Sequence, residues 1–258
     1  MKITILTLFP EMFDGFLSNS IIKRAISKGV ISFNVVNIRD YTLDKYGRVD
    51  SAPIGGGAGL IMKCQPIFDA MNANKTDNAK VLLLSPRGQQ YNQAKAHEFA
   101  KNNQDLLIIC GHYEGIDERI NQYVDEQISV GDYILTGGEL GSMIIADSVV
   151  RLLEGAITEE SLHEESFENG LLEYPQYTEP YEFNGQKVPD ILYSGNHEAI
   201  EKWRKKQSLK LTKELRPDLF DKYEPTKKDQ KLLKEIKEND DSPKWETAAI
   251  EKGKKFMK

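Results

Sequence analysis

Between Cys110 and Gly138 the chain reads CGHYEGIDERINQYVDEQISVGDYILTGG, its densest collection of groups able to do chemistry. Two short apolar runs here each end in glycine. Leu106 to Cys110 runs into Gly111-His112-Tyr113-Glu114-Gly115, and Gln127 to Val130 runs into Gly131-Asp132-Tyr133, then Thr136-Gly137-Gly138. Glycine at the carboxyl end of a buried strand lets a ligand approach the backbone closely. In open α/β sheets that edge is where ligands bind. The two turns read as two walls of one pocket, and Leu84-Ser85-Pro86 supplies a third strand end. Glu114, Asp117 and Glu118 are more carboxylates than solvation alone explains, and they suit a ligand with a cationic or donor-rich end. His112 could serve as a base beside the Tyr113 ring. The simpler reading, an exposed turn histidine, is the expectation.

Other candidates carry less. Gly55-Gly56-Gly57-Ala58-Gly59 lacks the Gly-Lys-Ser/Thr ending of a phosphate loop and follows no clear strand, so a flexible loop shaped around a substrate is expected. No GxGxxG pattern occurs, which argues against a dinucleotide. Cys64 and Cys110 give neither a disulfide framework nor metal-binding spacing, and no metal is expected. Lys202, Arg204, Lys205, Lys206, Lys210 and Lys213 share one helical stretch. They are either a solvated face or a set of phosphate contacts that neutralise backbone charge without reading sequence. Trp203 reads as an anchor of that helix.

These groups need elements to hold them. Strands are expected at Ile3–Phe9, Ile31–Ile38, Val81–Leu84, Leu106–Cys110 and residues 127–130. Helices are expected at Ser20–Ser27 with Ser20 as cap, Gln65–Met71, Gln93–Lys101, Ile116–Tyr123 and Glu139–Leu153. Strands alternating with helices imply an α/β fold with a mainly parallel sheet. The last of these helices is apolar around much of its circumference, as in a helix buried on several sides and partly in a dimer interface. Residues 158–175 lose periodicity and read as a linker between a domain at 1–157 and a second at 176–258. The second is helical, with one helix after Gly195, another at Lys227–Lys237, and a frayed polar tail from Asp240.

At 258 residues the chain can bury a substantial core, with 40% hydrophobic and 29% charged residues. No apolar run approaches the roughly 18 residues of a membrane span. The first apolar run is met at once by Glu11 and Asp14, which fits a buried strand better than a signal peptide. A cytoplasmic, reduced protein with no membrane association is expected. The net charge of -6 hides an asymmetry: residues 196–258 carry 18 basic and 13 acidic side chains, residues 1–195 carry 16 and 27. An acidic body with a basic tail is an interaction signal.

Several long motifs together resemble the bacterial tRNA (guanine-N1)-methyltransferases. They are Phe9-Pro10-Glu11-Met12-Phe13, Gly55 to Lys63, Ser85-Pro86 with Gly88, Cys110 to Arg119, and Gly131 to Leu140. Gly170 to Thr178 and Gly195-Asn196-His197 with Trp203-Arg204 complete the set, which spans nearly the whole chain in order. The resemblance implies a SPOUT-class α/β domain with a trefoil knot, a linker, a small helical domain that meets tRNA, and a homodimer. It implies methyl transfer from S-adenosylmethionine to N1 of the guanosine at position 37 of tRNA. Threaded chains are rare, and no local pattern could have indicated one.

Carried over residue by residue, the resemblance puts the cofactor against Leu84, Ser85 and Pro86 at one strand end and Gly111, Tyr113 and Glu114 at the next. The third wall takes Val130, Gly131, Asp132, Tyr133, Ile134 and Leu135, with Gly137 and Gly138. It makes Arg151 the cation that stabilises charge on guanine O6 and Glu165 the general base, where the family has an aspartate. Further departures are Gly141 after Glu139-Leu140, Glu154 in place of proline, and Glu179 where an arginine usually precedes Pro180, a lost substrate contact. Two alternatives stand beside this reading: a knotted ribose 2′-O-methyltransferase, and a non-catalytic RNA-binding module.

Overall fold

Five segments, most of them centred on short apolar runs, build one parallel sheet. In chain order the strands are β1 (Lys2–Thr7), β2 (Ser32–Asn37), the two-residue β3 (Asp50–Ser51) and β4 (Ile61–Met62), β5 (Ala79–Gln90), β6 (Asp105–Ile109) and β7 (Glu126–Ser129). The sheet runs β2-β1-β6-β5-β7 with every pairing parallel, while β3 and β4 form a separate antiparallel pair around the Gly55–Gly59 loop. The computed structural model describes residues 1–102, 104–158, 165–238, 240 and 243–254.

The period of two sorts the strand residues onto two faces. Ile3, Ile5, Leu82, Leu106 and Ile108 join one core cluster, and Leu6, Val81, Leu83, Leu107 and Ile109 join the other. Covering both faces is why these strands read as continuous apolar runs. The first face is covered by α1 (Asp14–Ser18), α2 (Ser20–Ser27), α4 (Gln93–Lys101) and α5 (Glu139–Val150), through Ile22, Ala25, Phe99, Ile145 and Val149 among others. The second is covered by α3 (Cys64–Asn74), through Ile67, Ala70 and Met71.

Three local expectations change. The cap of α2 is Asn19, with Ser20 already helical by position. Residues Glu118–Tyr123 form a 3₁₀ helix, started by the Asp117 carboxylate accepting the Arg119 N–H at 3.0 Å. β5 does not end at Leu84. Its pairing with β7 breaks after Leu84↔Ile128 and resumes at Gln89↔Ile128, so Ser85 to Gly88 bulge out of the strand.

The chain divides into two compact units, Met1–Glu159 and Glu160–Lys258. The second unit holds a hairpin of β8 (Glu182–Phe183) and β9 (Gln186–Lys187), then α6 (His197–Leu215), α7 (Pro217–Phe220), α8 (Lys227–Lys237) and α9 (Lys244–Lys254). The hairpin turns on Asn184-Gly185, both at positive φ, a signal present in the sequence but passed over. Thr226 and Asp229 cap α8 reciprocally. The tail read as frayed contains α9, whose Ala249 is buried with Trp203 and Ile191 while Trp245 packs beside them. Of the stretch read as linker, residues 165–174 pack on the second unit: Leu171 is buried with Leu209 and Leu232, and Leu172 N–H donates to Thr212 Oγ1 at 2.8 Å. Residues 159–164 of that linker and 255–258 of the tail lie outside the described residues.

Candidate active site

The bulge of β5 and the loops after β6 and β7 enclose a pocket of about 590 Å³ at the carboxyl edge of the sheet. Leu84, Ser85, Pro86, Gly111, Tyr113 and Glu114 line it, as do Val130, Gly131, Tyr133, Ile134, Leu135, Gly137 and Gly138. Asp132 does not; its side chain is exposed to solvent. Arg151, at the carboxyl end of α5, and Glu165, in the second unit, do not line it either.

Backbone, more than side chains, shapes the walls. A β-carbon at Gly131, where φ is +152°, would lie 2.3 Å from the Tyr133 ring. That ring is held by its hydroxyl donating to Val130 O at 3.2 Å. Gly138 N–H donates to Gly111 O at 3.0 Å, and His112 forms an isolated antiparallel bridge with Gly137, so the two glycine turns are bonded directly to each other. A β-carbon at Gly138 would lie 2.7 Å from Cys110 Cα. Gly141 on α5 faces Leu84 and Val130, whose side chains occupy the space a larger residue would need. The Gly55–Gly59 loop reaches the rim, because Glu114 N–H donates to Leu60 O at 3.0 Å and Glu114 leaves no room for a side chain at Gly59.

The acidic cluster sorts itself. Asp117 is gripped by Arg119 at 2.8 Å, which, with help from the Cys64 thiol, holds its carboxyl well below the usual range. Glu118 lines the pocket mouth and is lowered by the Arg87 guanidinium at 2.8 Å, then by Asn121. Glu114 is the pocket-lining carboxylate with no ion pair among the described residues. It is the group left to meet a ligand's donors.

His112 is not the exposed turn residue expected. Its ring is 15% exposed, and Nε2 lies 2.8 Å from the Glu139 carboxylate, itself 2% exposed. Glu139 also accepts from Thr7 Oγ1 at 2.6 Å. Sequence reading missed both Thr7 and Glu139; the available signal was a carboxylate at the head of a mainly apolar helix.

In the second unit, a smaller pocket of about 270 Å³ is lined by Glu165, Tyr174, Glu201, Arg204, Lys205 and Ser208 with their neighbours. The basic stretch of α6 is only partly available for phosphate. Lys206 is buried, donating to Asp240 O at 2.6 Å and lying 3.5 Å from Glu235. Lys202 lies over the Trp245 ring at 4.0 Å and 3.6 Å from Glu235. Arg204 stacks over Tyr174 and Lys205 over Tyr223.

The sequence profile described as tRNA (Guanine-1)-methyltransferase TrmD matches residues 1–222. The chain belongs to this family. A Clostridium botulinum (strain Hall) protein named tRNA (guanine-N(1)-)-methyltransferase is 53% identical over 238 residues, covering 92% of this chain and 98% of its own length. One of the same name from Clostridium perfringens (ATCC 13124) is 55% identical over 236 residues, covering 91% and 99%. In this chain the β5 bulge and the two glycine turns line one pocket. No helix among the described residues is long and apolar enough to cross a membrane.

Proposed function

We propose that this chain transfers a methyl group from S-adenosylmethionine to N1 of the guanosine at position 37 of tRNA, in the cytoplasm. The observation that carries this reading is the 590 Å³ pocket lined by the two glycine turns in a chain of this family. Its size falls within the roughly 300–1,000 Å³ of small-molecule sites. Its walls suit a nucleoside: bare backbone at Gly111, Gly131, Gly137 and Gly138, aromatic faces at Tyr113 and Tyr133, and the Glu114 carboxylate for hydroxyl or amino donors. When bound, S-adenosylmethionine supplies a methyl group activated by a sulfonium.

The chain must do the rest. Guanine N1 carries a proton at neutral pH, and Glu165 takes it. Arg151 meets the negative charge that then develops on O6. The α6 cations hold the tRNA backbone, with Lys210 and Lys213 carrying this contact because Lys202 and Lys206 are engaged with Glu235. The backbone bond between the two turns at Gly111 and Gly138 supports a trefoil knot in the first unit. Leu140 and Ile144, exposed on the outer side of α5, support a two-fold dimer, for which sedimentation would return twice the chain mass.

Incubation with labelled S-adenosylmethionine and unmodified tRNA, followed by mapping of the methylated atom, tests the reading. Label on N1 of the guanosine is expected, and a transcript with adenosine at position 37 should take up none. Label on a ribose would replace this reading with 2′-O-methylation, and no label with an RNA-binding module. Affinity for tRNA should fall with salt, with a log–log slope of about 0.7 to 0.9 per neutralised phosphate. Lys213→Ala, at an exposed position, should flatten that slope by about 1. Affinity unchanged between low and moderate salt would remove α6 from the contact.

A further inference from the structure

We propose that His112 and Glu139 form a positioning pair that sets the methyl-donor pocket by holding the Gly137–Gly138 wall against the end of β6. This rests on reading that pocket as the S-adenosylmethionine site. The two oxygens of the buried Glu139 carboxylate are divided between two other elements. Oε1 accepts from Thr7 Oγ1 at the end of β1, at 2.6 Å, and Oε2 lies 2.8 Å from His112 Nε2 in the loop after β6. The Thr7 hydroxyl is oriented, because its oxygen also accepts the Phe9 N–H at 3.0 Å. In its Nε2–H tautomer His112 donates to Oε2. The Phe9 ring meets the imidazole edge-on at 4.8 Å and limits its rotation.

Geometry at the wall makes the pair more than a core contact. A β-carbon at residue 137 would lie 2.1 Å from His112 Nε2 and 2.5 Å from Glu139 Oε2. Glycine is therefore required at 137 by the pair itself, besides any need for close approach by a ligand. The backbone of His112 bridges Gly137, and His112 lines the pocket. If the wall swung outward, a buried carboxylate oxygen would lose its donor, a costly state. The first turn of α5, where Glu139 sits, favours negative charge there as well. Thr7, His112 and Glu139 thus tie β1, the β6 loop and α5 together directly behind the pocket.

Titration calorimetry with S-adenosylmethionine on the full chain tests this, paired with KM for donor and for tRNA and with the unfolding midpoint of the unliganded protein. His112→Ala should raise the donor Kd and KM roughly tenfold or more, the loss expected for a hydrogen bond to a charged group. KM for tRNA should move far less than KM for donor. His112→Gln, whose amide N–H can still reach the carboxylate, should recover most of the affinity. Thr7→Val removes one hydroxyl and no pocket atom, and should weaken donor binding in the same direction, which keeps the test open if His112→Ala folds poorly. Unchanged donor affinity in Thr7→Val and His112→Ala, with or without a lower unfolding midpoint, would overturn the positioning role alone. A wild-type chain that fails to bind S-adenosylmethionine would overturn the pocket assignment on which it rests.

Discussion

A Glu165→Ala enzyme is expected to bind tRNA and S-adenosylmethionine and to lose methyl transfer in a single turnover by about 10²- to 10⁴-fold, the range for a positioned general base. The structure gives the backbone turn at Glu165 a defined support. Glu168 N–H donates to Glu165 O at 3.4 Å, Phe167 N–H to Leu171 O at 2.9 Å, and Glu173 N–H to Ser166 Oγ at 3.0 Å. The turn is then pinned to α6 through buried Leu171, the Leu172–Thr212 bond and a bond from Ser208 Oγ to Leu172 O. Glutamate and aspartate differ little in intrinsic acidity, about 4.3 against 3.9, so proton affinity does not distinguish them. Reach does. Misplacement by roughly 1 Å can cost on the order of 100-fold. Because the turn that carries residue 165 is built around the longer side chain, Glu165→Asp should be slower than wild type, and Glu165→Gln nearly as slow as alanine. Quench-flow with saturating donor measures all three. Normal single-turnover transfer by Glu165→Ala would sink the assignment.

Much of the architecture was legible because periodicity is a local property. The α4 and α8 boundaries coincide with the expected Gln93–Lys101 and Lys227–Lys237, and the strand ends that face the pocket carry their glycines in plain view. What was hidden depends on contacts between segments far apart in the chain. His112 read as exposed because its partner Glu139 is 27 residues away and Thr7 is 132 residues from Glu139. Lys206 read as a surface cation because nothing in its own helix reveals that Glu235 and the Asp240 carbonyl bury it. The tail read as frayed because α9 gains its burial only against Trp203 and Ile191. Charge and polarity are weak guides wherever a second element decides exposure.

Gly88→Ala should open the same pocket from its far side and destabilise the whole first unit. The bulge Ser85 to Gly88 exists because β5 leaves β7 after Leu84 and returns at Gln89, so the same residue, Ile128, is met twice. For the strand to return, residue 88 must pass directly against the β7 backbone. A β-carbon there would lie 2.3 Å from Ile128 N and 2.5 Å from Gln127 C, neither of which can swing aside as a side-chain end could. Overpacking into a core costs about 1–3 kcal/mol; against immovable backbone the upper end, about 3 kcal/mol, is expected. The pairing of Gln89 and Gln90 with β7 would be lost first, freeing Ser85, Pro86 and Arg87, which line the pocket. S-adenosylmethionine affinity should therefore fall together with the urea midpoint. Gly15→Ala is the control, since Gly15 is exposed in α1 with nothing within 4 Å of the added carbon. It should be neutral or slightly stabilising, because alanine is the better helix former. If Gly88→Ala unfolds at the same urea concentration as Gly15→Ala and binds the donor normally, the return of β5 is not what holds the pocket edge.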